Sequence, residues 1–139
     1  MERIMGLDVG DKTIGVAISD LLQMTAQGVT TIRRESKEKD FGALLDLITQ
    51  YEIKRVVVGL PKNMNNSEGE AVLRTRKFIR LLKDNFNIDI VEQDERLSSV
   101  TANSVLLKAD LSRKKRKEKV DAVAATIILQ NYLDIRKGA

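Results

Sequence analysis

The spacing of apolar positions along the chain changes near Asp40. Before that point, apolar and β-branched runs predict strands at Arg3–Val9, Thr13–Ser19 and Thr25–Arg33. A short turn signal that begins at Gly10 separates the first run from the second. Because such short links join strands that lie side by side, the opening of the chain predicts an antiparallel meander.

Beyond Asp40, helical stripes of apolar residues alternate with short strand-like runs. Ser67 and Glu70 have the spacing of a capping box, which predicts the start of the second helix beyond Asp40. The predicted order is helix, strand, helix, strand, helix and helix, over Phe41–Tyr51, Arg55–Gly59, Ser67–Asn85, Ile88–Glu92, Ser98–Leu107 and Val120–Ile128. We therefore expect an α/β fold whose mixed five-stranded sheet, a meander plus parallel strands, is flanked by helices.

The length of 139 residues is that of one domain, residues 1–139, and an apolar share of 42% suffices for one core. The sequence contains no apolar stretch near the roughly 20 residues of a membrane span. From Met1 the chain runs directly into a strand-like segment, unlike a signal peptide. We expect a cytoplasmic protein that does not bind membranes.

The sequence contains neither Cys nor His. The lack of Cys excludes a disulfide framework, a thiolate zinc site and a Cys nucleophile. The lack of His excludes an imidazole base, a Ser-His-Asp triad and a His metal ligand. Hydrolytic chemistry would have to use carboxylates, Lys, Tyr, Ser or Thr, or a metal held by oxygen ligands, which favour Mg²⁺, Mn²⁺ or Ca²⁺ over zinc.

The net charge of +4 is unevenly distributed, because Arg113–Lys119 alone contributes six bases and one acid. That run sums to +5, so the rest of the chain sums to −1. A local basic patch is typical of a surface that binds nucleic acid, although a solvated charged turn is the alternative. The overlapping stretch Ala109–Lys117 is predicted to be the least structured part of the chain, since it has little to bury.

Asp8 lies inside the first predicted strand, which should be central in the sheet. A buried carboxylate without a partner is costly, and a metal ion would be one such partner. Capping of the turn that begins at Gly10 is the competing interpretation.

Further acids lie near the ends of later elements. Asp94, Glu95 and Arg96 follow a predicted strand, where α/β folds gather ligands, although a helix cap and a surface ion pair explain them equally well. Asp121 lies early in the last predicted helix, where the helix dipole stabilises a negative charge. Its small neighbours would also let that helix approach the sheet closely. Together these acids fit two-metal phosphodiester hydrolysis, which requires converging carboxylates.

The motifs in which these acids occur resemble the YqgF/RuvX family. They appear in that family's order over nearly the whole chain, as Asp8-Val9-Gly10-Asp11-Lys12-Thr13-Ile14-Gly15-Val16-Ala17, Val58-Gly59-Leu60-Pro61, Asp94-Glu95-Arg96-Leu97-Ser98 and Lys119-Val120-Asp121-Ala122-Val123-Ala124-Ala125. The resemblance implies an RNase H-like fold similar to that of the Holliday-junction resolvase RuvC. It also implies either resolvase activity or a nuclease that matures the 5′ end of pre-16S rRNA.

The resemblance implies that Asp8, Glu95 and Asp121 are the catalytic acids and bind one or two Mg²⁺ or Mn²⁺ ions, with Asp94 as a substitute or helper for Glu95. On this hypothesis, Lys12 and Arg96 contact phosphate close to the cleaved bond. The basic run, including Arg113, Lys114, Lys115 and Arg116, would hold the nucleic-acid backbone without reading its sequence. The substrate, pre-rRNA or branched DNA, stays open, as does the choice between monomer and homodimer.

Two other functions compete with the nuclease. A phosphotransferase of the actin or sugar-kinase type opens with a similar hairpin, but it needs a second Gly-rich phosphate hairpin and a longer chain. A non-catalytic nucleic-acid-binding module is the other, and it would leave the acids without a role that offsets their cost.

Overall fold

The computed structural model describes residues 2–60, 69–94 and 113–138, without the side chains of Asp94 and of residues 113–121, 137 and 138. The strands are β1 (Ile4–Val9), β2 (Thr13–Ser19), β3 (Ala26–Arg33), β4 (Arg55–Leu60) and β5 (Asp89–Asp94), and the helices of the described ranges are α1 (Lys37–Gln50), α2 (Glu70–Asn85) and α3 (Arg113–Gly138). The predicted helix Ser98–Leu107 lies outside these ranges.

The strands form one sheet in the order β3-β2-β1-β4-β5. The pairs β1–β2 and β2–β3 are antiparallel, whereas β4 runs parallel to both β1 and β5. A 2.8 Å hydrogen bond from the Gly10 N–H to the Thr13 carbonyl closes the β1–β2 hairpin. The structure thus confirms the predicted α/β fold, a mixed five-stranded sheet with an antiparallel meander.

One face of the sheet is covered by α1 and α2. Alternate residues of β1, namely Met5, Leu7 and Val9, join Leu44 of α1 and Leu82 of α2 in a buried cluster. Side chains alternate between the faces of a strand, so the intervening residues of β1 lie on the opposite face.

That opposite face is covered by α3, which approaches β1 closely at Gly6. A Cβ atom placed on Gly6 would lie 2.7 Å from the Leu129 Cβ and 3.1 Å from the Ala125 carbonyl oxygen. Ala125 and Leu129 are completely buried. The expectation that small residues let this helix approach the sheet is confirmed at Ala125.

The direction of α3 follows from its contacts with β3. The Gln130 side chain accepts a 2.9 Å hydrogen bond from the Ala26 N–H at the start of β3. Further along β3, Gly28 lies against Ala122 and Thr126, which precede Gln130 in α3. The helix therefore runs antiparallel to β3 and β1, and its N-terminal half lies toward the edge where β1 ends.

The structure corrects the prediction at two helix starts. The capping box would place Glu70 at the third position of its helix, but the N-cap of α2 is Gly69 and Glu70 occupies the first turn, where its charge suits the helix dipole. The basic residues from Arg113 form the first turns of α3, so the prediction of an unstructured stretch is wrong there. Lys and Arg are good helix formers, and the packed part of α3 supports the continuation.

A search of the described residues finds no helix long and apolar enough to cross a bilayer.

Candidate active site

The C-terminal ends of β1, β4 and β5 meet at one edge of the sheet. In the parallel register, Leu7 pairs with Val58 and Val58 pairs with Glu92. The last residues of these strands therefore lie next to each other, at the edge where open α/β sheets bind ligands.

Asp8 lies in β1 at this edge and pairs with Gly15 of the neighbouring strand β2. Its position in the alternation matches that of Ile4, which belongs to the buried cluster on α3, and that of Gly6. Asp8 is half-buried, whereas Leu7 and Val9 beside it are buried. A carboxylate in this position keeps partial access to solvent.

Asp121 is brought to the same edge by the backbone of α3. Ala125 packs on Gly6, and position 121 lies about one helical turn before Ala125. From Gly6 to position 8, β1 advances by about 6.6 Å. From Ala125 back to position 121, α3 covers about 6 Å along its axis. Because the two elements run antiparallel, positions 8 and 121 stay level on one face of the sheet. The Asp121 side chain is outside the described set.

The other predicted acids are located only in part. Asp94 is the last residue of β5, and its backbone pairs with Leu60 of β4, but its side chain is not described. Glu95 and Arg96 lie outside the described residues. Within the described side chains, no group of three or more acids is close enough together to bind a metal ion.

The predicted phosphate contacts are two sets of basic residues. Lys12 is exposed in the β1–β2 hairpin, and its carbonyl accepts a 2.8 Å hydrogen bond from the Arg34 N–H. Four predicted contacts open α3 and are described by their backbone alone, namely Arg113, Lys114, Lys115 and Arg116. The hairpin and the first turns of α3 thus present basic residues from separate elements.

The described donor at this edge is of the type that a hard divalent cation prefers. The described member, Asp8, offers carboxylate oxygens at a half-buried position, and the chain has no Cys or His. Oxygen donors are the ligands that Mg²⁺ and Mn²⁺ prefer. Asp8, with Asp121 and an acid following β5, would hold such an ion.

The structure also forms a basic cleft that the sequence analysis missed. It lies between α1 and α2 and is lined by Arg34, Lys37, Arg74 and Lys77. A charge count per element would have indicated it, because α2 carries five bases and two acids. The expectation of a single basic patch is therefore incomplete.

The family model and two similar relatives point to the same family. The model of the family described as "RuvX: Holliday junction resolvase" matches residues 2–135. A protein of Thermoanaerobacter pseudethanolicus is 56% identical over 137 residues, which cover 98% of this chain and 99% of that protein. One of Clostridium acetobutylicum is 55% identical over 132 residues, covering 95% and 98%. Both carry the name "Putative pre-16S rRNA nuclease".

Solved structures with a similar fold include Holliday-junction resolvases. Thermus thermophilus RuvC in complex with a Holliday junction has a TM-score of 0.58 at 12% identity, covering 99% of this chain and 97% of RuvC. The fowlpox virus resolvase with its junction DNA has a TM-score of 0.55 at 14% identity, covering 96% and 98%. These likenesses show a RuvC-like RNase H fold. Because the family model spans nearly the whole chain, the protein belongs to the RuvX family.

Proposed function

We propose that this protein is a metal-dependent nuclease that hydrolyses phosphodiester bonds in structured nucleic acid, with the 5′ end of pre-16S rRNA as its principal substrate in the cytoplasm. The observation that carries the proposal is the close approach of α3 to β1 at Gly6, which keeps positions 8 and 121 level on one face. The name of the relative that is 56% identical supports the choice of substrate.

The proposed ligands of one or two Mg²⁺ or Mn²⁺ ions are Asp8, Glu95 and Asp121. Asp94, the last residue of β5, is the alternative to Glu95 as the second acid.

The bound ions would polarise the phosphate and supply activated water. The chain's own residues would orient the ions and bind the nucleic acid. Asp8, fixed in β1 by its backbone pairing with Gly15, would orient the ions relative to the sheet edge. Lys12, which is exposed, and Arg96 would contact the phosphate near the cleaved bond. The basic first turns of α3 would hold the backbone of the nucleic acid.

A cleavage assay tests the proposal directly. A pre-16S rRNA fragment and a four-way DNA junction are incubated side by side with the protein in Mg²⁺, in Mn²⁺ and without metal, and the product ends are mapped. We expect metal-dependent cleavage of the rRNA fragment at its 5′ end. Failure to cleave either substrate in either metal would contradict the proposal.

Holliday-junction resolution is the second candidate, and the coverage of nearly the whole chain by RuvC supports it. A resolvase that cuts a two-fold symmetric junction is expected to act as a dimer. Symmetric cleavage of the junction, with the rRNA fragment left intact, would favour this candidate over rRNA processing.

A further inference from the structure

The basic cleft between α1 and α2 has a volume of about 480 Å³. Its cationic residues are Arg34, which follows β3, Lys37 of α1, and Arg74 and Lys77 of α2. It lies on the α1–α2 side of the sheet, across from α3. The cleft is thus separate from the basic first turns of α3.

Asp40 is the one acid among the described residues that line the cleft, and it is already neutralised. Asp40 is only 4% exposed and lies 3.5 Å from the Arg34 Nε, and it accepts a 3.0 Å hydrogen bond from the Glu35 N–H. Lys37 and Lys77 form no ion pair with any described side chain. The cleft therefore keeps a surplus of positive charge that faces solvent.

Arg74 has a hydrogen-bond donor to spare. Its terminal nitrogen pairs with Asp11, which is 71% exposed. Its Nε is buried and has no hydrogen-bond partner within the described part of the chain. Buried donors are nearly always satisfied in folded proteins, so Arg74 is an unusual residue within the described part of this cleft.

Arg34 is held in place before any ligand arrives. Its guanidinium lies 5.5 Å from the centre of the Phe78 ring and donates a 2.9 Å hydrogen bond to the Gly10 carbonyl. Phe41 packs on Phe78 with 5.3 Å between the ring centres. A cation fixed on an aromatic floor is preorganised to bind an anion.

Two contacts connect the cleft to the hairpin that follows Asp8. Arg34 binds the Gly10 carbonyl, and Arg74 pairs with Asp11. Both hairpin residues come directly after β1, which carries Asp8. A nucleic-acid strand that passes the sheet edge at Asp8 can therefore cross the hairpin and enter the cleft.

We propose that this cleft binds the phosphodiester backbone of the substrate strand beside the cleaved bond, on the side of the sheet opposite α3. The inference rests on the proposed nuclease function, because the path past Asp8 identifies the anion as a nucleic-acid strand. Substrate is thereby held on both sides of the catalytic edge, by α3 on one and by the α1–α2 cleft on the other.

The test compares two double variants of equal charge. K37Q/K77Q removes two exposed lysines of the cleft. K54Q/K83Q removes two exposed lysines elsewhere, one directly before β4 and one in the last turn of α2. Binding of a labelled single-stranded RNA, and of DNA of the same sequence, is measured by fluorescence anisotropy without metal at several salt concentrations. Circular dichroism melting checks that each variant folds.

We expect K37Q/K77Q to bind both strands about tenfold more weakly and its salt slope to be shallower by about 1.4, which is two lost contacts to a single strand. K54Q/K83Q should change affinity less than about twofold. Equal losses in the two variants, or an unchanged slope in K37Q/K77Q, would overturn the inference. Equally potent competition by a free nucleoside monophosphate would overturn it too, by showing that the cleft binds a mononucleotide.

The outcome is separable from that of the proposed function, because binding is measured without cleavage. A cleft-specific loss of binding in a protein that cleaves nothing would leave the cleft and remove the nuclease. Unchanged binding by K37Q/K77Q, with normal cleavage, would remove the cleft and leave the nuclease.

Discussion

At the scale of single residues, Gly6 and Asp8 share one face of β1, where Gly6 packs against α3 and Asp8 carries a carboxylate. Gly6 leaves the space that Ala125 and Leu129 occupy, so that α3 lies directly on the sheet. Asp8, next on that face, is half-buried at the edge where the strand ends. The packing of one residue thus determines how closely position 121 can approach the carboxylate of the other.

Gly6→Ala is expected to destabilise the fold by about 1–3 kcal/mol, because the new Cβ overlaps the Leu129 Cβ and forces α3 outward. Gly42→Ala is the matched control, since a Cβ at Gly42 of α1 meets nothing within 4 Å. The substitution also replaces a glycine inside a helix by a better helix former. That control should stabilise by up to about 1 kcal/mol. Urea denaturation measures both, and equal stability of the two variants would contradict the close approach.

Metal binding at Asp8 is expected to raise the melting temperature of the wild-type protein in Mn²⁺. Free Mn²⁺ at a hundred times its Kd would stabilise the folded state by about 2.7 kcal/mol. Asp8→Asn should abolish the rise, because a neutral amide is a weaker ligand than a carboxylate. A rise of the same size in Asp8→Asn would show that the ion binds elsewhere.

At the scale of secondary-structure elements, α3 carries both a structural and a proposed binding role. Its C-terminal half packs on the sheet through Ala125, Leu129 and Leu133, and its N-terminal turns carry the basic run. The apolar stripe predicted the packed half. The stripe did not extend to the basic residues, so their helical structure could not be inferred from periodicity.

Gln130→Ala is expected to destabilise the protein by about 1–2 kcal/mol, because it removes the hydrogen bonds to the Ala26 N–H and the Met24 carbonyl that join α3 to β3. Gln50→Ala, at the exposed end of α1, should lie within about 0.5 kcal/mol of wild type. The two are compared by urea denaturation. If Gln130→Ala were as stable as Gln50→Ala, these bonds would not hold the helix.

At the scale of the whole molecule, the sequence was sufficient for the sheet and insufficient for the α1–α2 cleft. The apolar, β-branched runs of β1, β2 and β3 and the Val-rich β4 predicted strands, and the structure confirms the antiparallel meander and the mixed sheet. The cleft joins Arg34 to Arg74, which are forty positions apart, and no local pattern brings such residues together. For the same reason the meeting of Gly6 with Leu129 was expected only as a general approach of the last helix.

Neutralising the basic turns of α3 is expected to reduce the dependence of nucleic-acid binding on salt. Changing Arg113, Lys114, Lys115 and Arg116 to Gln together should make the salt slope for a single strand shallower by about 2.8, if each contacts one phosphate. Anisotropy titrations at several salt concentrations measure the slope. An unchanged slope would remove this run from the binding surface.

The central claim is that Asp8 binds a catalytic metal ion, and the cleavage rate of Asp8→Asn tests it most directly. A pre-16S rRNA fragment is cleaved under single-turnover conditions in Mg²⁺ or Mn²⁺, with Asp46→Asn on the exposed surface of α1 as the matched control. We predict that Asp8→Asn lowers the rate by about a hundredfold or more and that Asp46→Asn leaves it unchanged. Full activity of Asp8→Asn would contradict the account.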